Sequence, residues 1–369
     1  MAIHRAAAAA APLAFRHISR RRFLSTASSS SAACPSLLGY FHQPEPTKSL
    51  ADAVSDSRST GPYKPLPIRF QPLTPSSPRL SLGFLPSDAS GFDLFDSHHG
   101  LVLLLQGNGG PFLPEFLVCD PVSRHHALFP SPPVGGREFV GAALLSRAGA
   151  GHRFEFDAVC LTLRGDRPRA WVASYRGGLW TWTPLPPSRD VAIDFDPMSL
   201  EERCVRAAGS LYWHVRGDDR ALVLDPATMK FSLVRPPAAL IWELAHYRFG
   251  EMPDDGRLCV AALAEQKLRL CVRGTGSADG WVLERETCLR KVFDSVPALP
   301  RDPLSREFII FLGGLDAERT GRVFIRTFGY GCFSYHLDTG KLDRLTTDDG
   351  LEYGRFIFPY FSAPDGRSD

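Results

Sequence analysis

Two histidine pairs, a few close-set carboxylates and three glycine-rich stretches are the places where this chain's residue types could do chemistry. His98-His99 and His125-His126 offer imidazole nitrogens of the kind that ligate zinc. Neighbours on a strand point to opposite faces, so one ion rarely takes both members of such a pair without help. Asp194 and Asp196 alternate around Phe195 in AIDFDP, a spacing that would put two carboxylates on one strand face. Asp254-Asp255 and Asp348-Asp349 each precede Gly and read as turn residues. GNGG at 107–110, GTGSADG at 274–280 and GYG at 329–331 are the glycine-rich candidates for a phosphate loop. None joins a strand to a helix, and GTGSADG lacks the third glycine of a dinucleotide turn, so all three read as hairpin loops. No G-x-S-x-G elbow, P-loop or H-E-x-x-H occurs. The sequence therefore assigns no catalytic, cofactor-binding or metal-binding residue and implies no cofactor.

The elements that would position such residues are strands. From about Arg79 the chain runs through short apolar stretches bounded by Gly, Pro or Asp: LSLGF, FDLFDSHHGLVLLL, RFEFDAVCLTL, RAWVASY, GLWTWTPL, SLYWHV, ALVLD, KFSLV, LCVAAL, KLRLCVRG, WVLERE, FIIFLGG, RVFIRTFG and CFSYHL. Helical signals are confined to CLRKVFDSV at 288–296 and LIWELAHY at 240–247. Of the eight cysteines, Cys119, Cys160, Cys259 and Cys271 fall inside strand-like runs and no C-x-x-C pair occurs, which points to buried reduced thiols. Trp171, Trp180, Trp182, Trp213, Trp242 and Trp281 mostly sit inside strands, where core packing is the expected role; one at an exposed mouth of the fold would instead anchor a partner.

One phrase repeats. LVCDPVSRHHALFPSPP at 117–133 and LVLDPATMKFSLVRPP at 222–237 each pass from an apolar run through Asp-Pro to a second strand that stops at Pro-Pro. A looser copy, FSYHLDTGKLDRL at 333–345, has Asp338-Thr339-Gly340 in place of Asp-Pro. Asp accepts from the backbone two residues on and Pro presets φ, so each phrase is a hairpin with a chemically specified turn. Pro-Pro recurs at 132, 186 and 236, about 50 residues apart, and the Asp residues 120, 225 and 338 lie at about twice that interval. Blades of a kelch-like propeller are four-stranded sheets of about 50 residues. The fold class expected is all-β, a β-propeller-like repeat of four-stranded sheets with room for roughly five between 92 and 350.

Net charge is +2 with 44% hydrophobic and 22% charged residues, which gives no electrostatic case for nucleic acid. No apolar run approaches the length that spans a bilayer. Residues 1–34 are rich in Ala, Arg and Ser and hold no Asp or Glu, which fits a mitochondrial or plastid transit peptide or the remnant of a helical module, disordered or partly helical. Residues 35–79 read as a Pro/Ser-rich linker, 80–358 as the folded domain and 359–369 as a tail. Cytoplasm or nucleus is the expected compartment, with an organelle as the alternative.

Several stretches together resemble the plant F-box proteins that carry a kelch-like, F-box-associated β-propeller region. They are PSLLGYFHQP at 35–44, FDLFDSHHGLVLLL at 92–105, FLVCDPVSRHHALFPSPP at 116–133 and GSLYWHVRGDDRALVLDPATMKFSLVRPP at 209–237. The resemblance implies a non-enzymatic protein-interaction module, recognising substrate in, or derived from, an SCF-type ubiquitin ligase, with a protein substrate, a Skp-type adaptor and a cullin as partners. The start MAIHRAAAAAAPLAF lacks the L-P-x-x-L-x-x-x-I-x-x-x-L pattern of an F-box, and only AFRHISRRRFL at 14–24 resembles its last helix, so the F-box is expected to be degenerate or truncated. The alternatives are an organelle-imported propeller binding protein and, third, a propeller hydrolase, which would need carboxylates converging at the central channel from several blades.

Overall fold

The computed structural model describes residues 36–44, 67–86 and, apart from short stretches in the connections, 91–362. They form a six-bladed β-propeller. Two early strands, β1 (Leu37–His42) and β2 (Arg69–Pro72), belong to the last blade. Blade 1 is β3 (Phe92–His98), β4 (Leu101–Gln106), β5 (Phe116–Asp120) and β6 (His125–Phe129). Blade 2 is β7 (Phe139–Arg147), β8 (Phe156–Arg164), β9 (Arg167–Arg176) and β10 (Leu179–Pro184). Blade 3 is β11 (Val205–Ala207), β12 (Ser210–His214), β13 (Ala221–Asp225) and β14 (Lys230–Val234). Blade 4 is β15 (His246–Glu251), β16 (Leu258–Ala264), β17 (Lys267–Arg273) and β18 (Trp281–Cys288). Blade 5 is β19 (Ile310–Asp316), β20 (Arg322–Thr327), β21 (Gly331–His336) and β22 (Leu342–Arg344). All pairings within blades are antiparallel, and around the axis β3 touches β7, β11 touches β15, β15 touches β19 and β23 (Ile357–Phe361) touches β3.

Blade 6 closes the ring from both ends of the chain. β1 pairs with β2 on one side and with β23 (Ile357–Phe361) on the other. The segment 35–79, expected as linker, thus supplies two strands, and Pro359–Phe361 belong to the propeller rather than to a tail. The signal was hidden because LLGYFH and RFQP are short and each is completed only by pairing with distant residues. A fourth strand does not follow β2: Pro72, Pro75 and Pro78 have no N–H to donate to a ladder. LSLGF, expected as a strand, runs unpaired at this point, yet Leu80, Leu82 and Phe84 still pack against the core between blades 6 and 1.

Apolar residues fill the seams between blades rather than one central core. One cluster lies between each of the pairs 1–2, 2–3, 3–4, 4–5 and 6–1. Blade 6 meets blade 5 through Tyr40, edge-on to Phe324 at 5.6 Å. The four strand cysteines pack among these residues, and burial pushes the Cys259 thiol up to about 12. Gly141 has no room for a side chain: a Cβ there would lie 2.1 Å from the Glu202 carbonyl oxygen, where the connection to blade 3 crosses β7.

The repeated phrase is the outer hairpin of alternate blades, 1, 3 and 5, which accounts for its doubled interval. Asp120 Oδ1 accepts from the N–H groups of Val122 (2.9 Å) and Ser123 (3.1 Å). Asp225 Oδ1 accepts from Ala227 N (2.9 Å) and its Oδ2 from the Thr228 hydroxyl (2.6 Å), which hold its carboxyl below the usual range. Each turn ends on a residue in the left-handed region, Arg124 (φ 58°), Met229 (φ 55°) and Gly340 (φ 69°). That register aligns His336, not Asp338, with Asp120 and Asp225, so the third copy keeps the turn and moves its acid two places along.

CLRKVFDSV contains one helical turn, α1 (Arg290–Phe293). Of LIWELAHY, Leu240 lies in a 3-10 turn while His246 and Tyr247 begin β15; residues 241–245 lie outside the described residues, as do 1–34.

Candidate interaction surface

The central channel is where a propeller enzyme would gather its carboxylates, and here the chain's own side chains cross it. β3 carries a bulge between Leu94 and Asp96, which re-aims the Asp96 carboxylate toward blade 2. Its Oδ2 accepts from Leu144 N (2.8 Å) and lies 3.4 Å from Arg206 Nη2 of blade 3, while Oδ1 accepts from Ser97 N (2.8 Å). Burial raises the Asp96 pKa even though Arg206 and the two backbone N–H groups pull it down. Arg206 also donates to the Leu144 carbonyl. Arg203 reaches from the edge of blade 3 to the Leu94 carbonyl (2.9 Å) and stacks 3.9 Å over Phe356. Arg248 of blade 4 pairs with Glu201 at 3.2 Å. His214, fully buried and held well below its ordinary pKa by desolvation, accepts from Phe249 N through Nε2 (3.2 Å). Asp96 and His214 thus perform the same task, each satisfying a backbone N–H on the next blade's first strand.

The residues singled out in the sequence are dispersed. His98 and His99 flank the β3–β4 turn, His99 in the left-handed region (φ 50°). On β6, His125 hydrogen-bonds Ser123 Oγ and stacks on Phe154, whereas His126 faces Phe84 across the other side. Asp194 and Asp196 do not share a strand, because VAIDFDP is an irregular connection fixed by its neighbours. Asp194 pairs with Arg220 and Asp196 caps a short 3-10 turn (Pro197–Ser199). Asp255 accepts from Arg257 in a turn, while Asp254, Asp348 and Asp349 lie outside the described residues. GTGSADG lies between the antiparallel strands β17 and β18, and GYG between β20 and β21; residues 275–279, Gly329 and GNGG lie outside the described residues. Among the described residues no three His, Cys, Asp or Glu side chains are placed to hold a metal ion. No described helix is long and apolar enough to cross a membrane.

What sequence reasoning missed is an aromatic cluster on the outer rim between blades 1 and 2. In it Phe116 stacks on Phe129 (5.3 Å) beside the row Phe156, Tyr175 and Trp180, which cross-strand pairing sets side by side on β8, β9 and β10. Trp182, two residues on, shares the face of Trp180, and Ala173 and Ala158 beside it leave room for Phe129. Phe154, Tyr175, Trp180 and Trp182 are half-buried, so this face of the cluster is partly exposed to solvent. Asp157, next to Phe156, is committed: although burial raises its pKa, hydrogen bonds from Ser174, Arg176 and Ser146 bring it below the usual range. Glu155 likewise accepts from Gly177 N.

One end of this cluster is contacted by the repeated phrase. Trp182 Nε1 donates to the Pro130 carbonyl (3.1 Å), one residue past β6. Two blades on, Trp281 Nε1 donates to the Arg235 carbonyl (3.1 Å), one residue past β14. A tryptophan on the outermost strand of each following blade thus holds the start of the proline exit. Trp281→Phe keeps a ring and removes the donor, and is expected to cost about 1 kcal/mol. Urea unfolding should show Trp281→Phe and Trp182→Phe adding to about 2 kcal/mol, since the sites share no neighbours. Trp171→Phe, whose buried indole N–H has no hydrogen-bond partner among the described residues, controls for ring size.

No protein-family profile matches the chain, and no curated protein matches it. Solved structures resemble it in fold. A protein from Lactobacillus plantarum superposes with a TM-score of 0.41 at 10% identity, covering 88% of this chain and 99% of its own. The Cps50 (Swd1) β-propeller domain of Myceliophthora thermophila gives 0.36 at 13%, covering 75% and 78%. A post-proline cleaving enzyme from Rickettsia typhi gives 0.32 at 8%, covering 78% and 40%. At such TM-scores and identities these likenesses transfer no site or activity.

Proposed function

We propose that this propeller is a non-enzymatic protein-recognition module and that the aromatic rim of blades 1 and 2 is its binding surface. The observation that supports the reading is the cluster's composition: half-buried Trp180, Trp182, Tyr175 and Phe154 on one sheet. Trp and Tyr dominate protein-binding hot spots because they bury much area with few rotamers to freeze. The hydrolase alternative would need uncommitted carboxylates at the channel, whereas Asp96 and Glu201 are engaged by arginines and backbone. The sequence resemblance extends the proposal to substrate recognition in, or in descent from, an SCF-type ubiquitin ligase.

A photo-crosslinking residue introduced at Phe154 of the intact protein, with one at exposed Leu283 of blade 4 as control, tests the surface directly. A partner captured from position 154 and not from 283 is the expected result. Equal capture from both positions, or none, would dismiss the rim. Scoring the same captures for a Skp-type adaptor tests the ligase extension, which fails if adaptor never co-purifies with an N-terminally extended form.

A further inference from the structure

We infer that β10 is a self-association edge, pairing antiparallel with β10 of a second copy of this chain about a two-fold axis at Thr181. The interface uses the backbone edge of the strand and does not depend on the reading of the aromatic rim.

The hairpin fixes which backbone groups face outward. β10 ends its sheet and pairs with β9 alone among the described strands. Gly177 (φ 57°) and Gly178 (φ 82°) both lie in the left-handed region, as a two-residue hairpin turn requires. In such a turn the flanking residues, here Arg176 and Leu179, exchange both backbone bonds. The exchange recurs at every second residue, at Thr181 and Thr183, and beyond the strand Leu185 N still donates to the Ala170 carbonyl at 2.9 Å. Trp180 and Trp182 therefore turn their N–H and C=O groups away from β9, along the outer edge of the blade. The face of β10 opposite their rings holds Leu179, which is 76% exposed, with exposed Thr181 and Thr183.

Charge and register point to the occupant. Ionisable side chains on an edge strand deter pairing with another chain, as Lys230 does on β14, Glu284 on β18 and Asp343 on β22. LWTWTP carries none, and Arg176, across the turn from Leu179, is held by Asp157 at 2.7 Å. The strand that matches this edge is extended, uncharged and offers a donor and an acceptor on alternate residues. A second β10 meets all three conditions. With the axis at Thr181, Trp180 of each copy exchanges both backbone bonds with Trp182 of the other. A register moved toward either end sets a tryptophan against Pro184, which has no N–H, or against Gly178 in the turn. The symmetric register is thus selected by the strand's own ends. It brings Leu179 across from Thr183 of the copy and Thr181 onto its symmetry mate, the isologous arrangement of a two-fold dimer.

Sedimentation of the intact protein over about 1–100 μM is expected to show monomer passing to dimer. Thr181→Lys sets two ammonium groups against each other at the axis. It should weaken dimerisation at least tenfold while the thermal midpoint of the dilute protein is unchanged. Crosslinking reads the register. With Cys34 and exposed Cys288 replaced by serine, Thr181→Cys should form a disulfide-linked dimer under oxidised glutathione. Facing residues that do not exchange backbone bonds lie about 4.5 Å apart at Cα, within disulfide reach. Thr183→Cys in the same background faces Leu179 of the copy and should link at least tenfold more slowly. If Thr181→Lys does not fold, the two cysteine variants decide the matter. A chain that stays monomeric, a dimer that Thr181→Lys leaves intact, or equal linking from positions 181 and 183 overturns the inference.

Discussion

Phe41→Ala is expected to lower the unfolding free energy by about 3–5 kcal/mol, the usual cost of removing a fully buried phenylalanine. Phe41 is 0% exposed in the middle strand of blade 6, tilted against Phe70 at 4.9 Å and edge-on to Tyr360 at 5.3 Å. It also packs with Val102, Leu104 and Leu117 of blade 1. The cavity would open where the ends of the chain are joined, and typical domains hold only about 5–15 kcal/mol in total. A thermal midpoint lowered by on the order of 10 °C is the readout. Phe358→Ala, at a half-buried neighbour on β23, should cost less. A Phe41→Ala protein as stable as the parent would mean that the ring is held elsewhere.

Asp96→Ala carries the second large effect, about 2–3 kcal/mol. It strands the N–H groups of Leu144 and Ser97 and leaves Arg206 without its carboxylate. The partial exposure of Arg206 keeps the figure below that of a sealed ion pair. Asp96→Asn retains an acceptor for Leu144 and should recover part of the loss. The pH dependence has a definite sign. Burial raises the folded carboxyl above its unfolded value of 3.8, so as pH climbs from about 4 the unfolded chain releases this proton first. Stability from this group is complete below that point, declines through the window up to the folded pKa and is constant above it. Asp96→Asn should flatten that part of a urea-midpoint-versus-pH profile; an unchanged slope would assign it to other groups.

The propeller was legible because its turns are chemical. Asp120 and Asp225 announce hairpins through side-chain acceptors, and Pro-Pro marks each exit, so blade period and strand content follow from local residues. The sixth blade was not legible, since β1 finds β23 more than 300 residues away and nothing local in LLGYFH or IFPYF records the pairing. VAIDFDP and LSLGF show the opposite failure: both alternate like strands, yet neither finds a ladder. The rim cluster was half visible. Trp180 and Trp182 read as one strand face, but the seat beside them comes from Phe129 and Pro130 of another blade. A signal existed in the spacing, because a strand tryptophan follows each proline exit at a similar distance, 52 residues from Pro130 and 46 from Arg235.

The pairing of β1 with β23 also sets a clock on synthesis. A ribosome adding about 5–20 residues per second needs roughly 15–60 s to travel from His42 to Ile357. Throughout that interval β1 can find β2, but its other edge, and the side of the Phe41 ring that meets Tyr360, have no final neighbour. Blades 1 to 5 can each form as they emerge, while the last seam must wait for the chain to be almost finished. Nascent chains of this protein should therefore expose one sticky edge until the closing moments of translation, which makes that edge the natural place for a chaperone to hold.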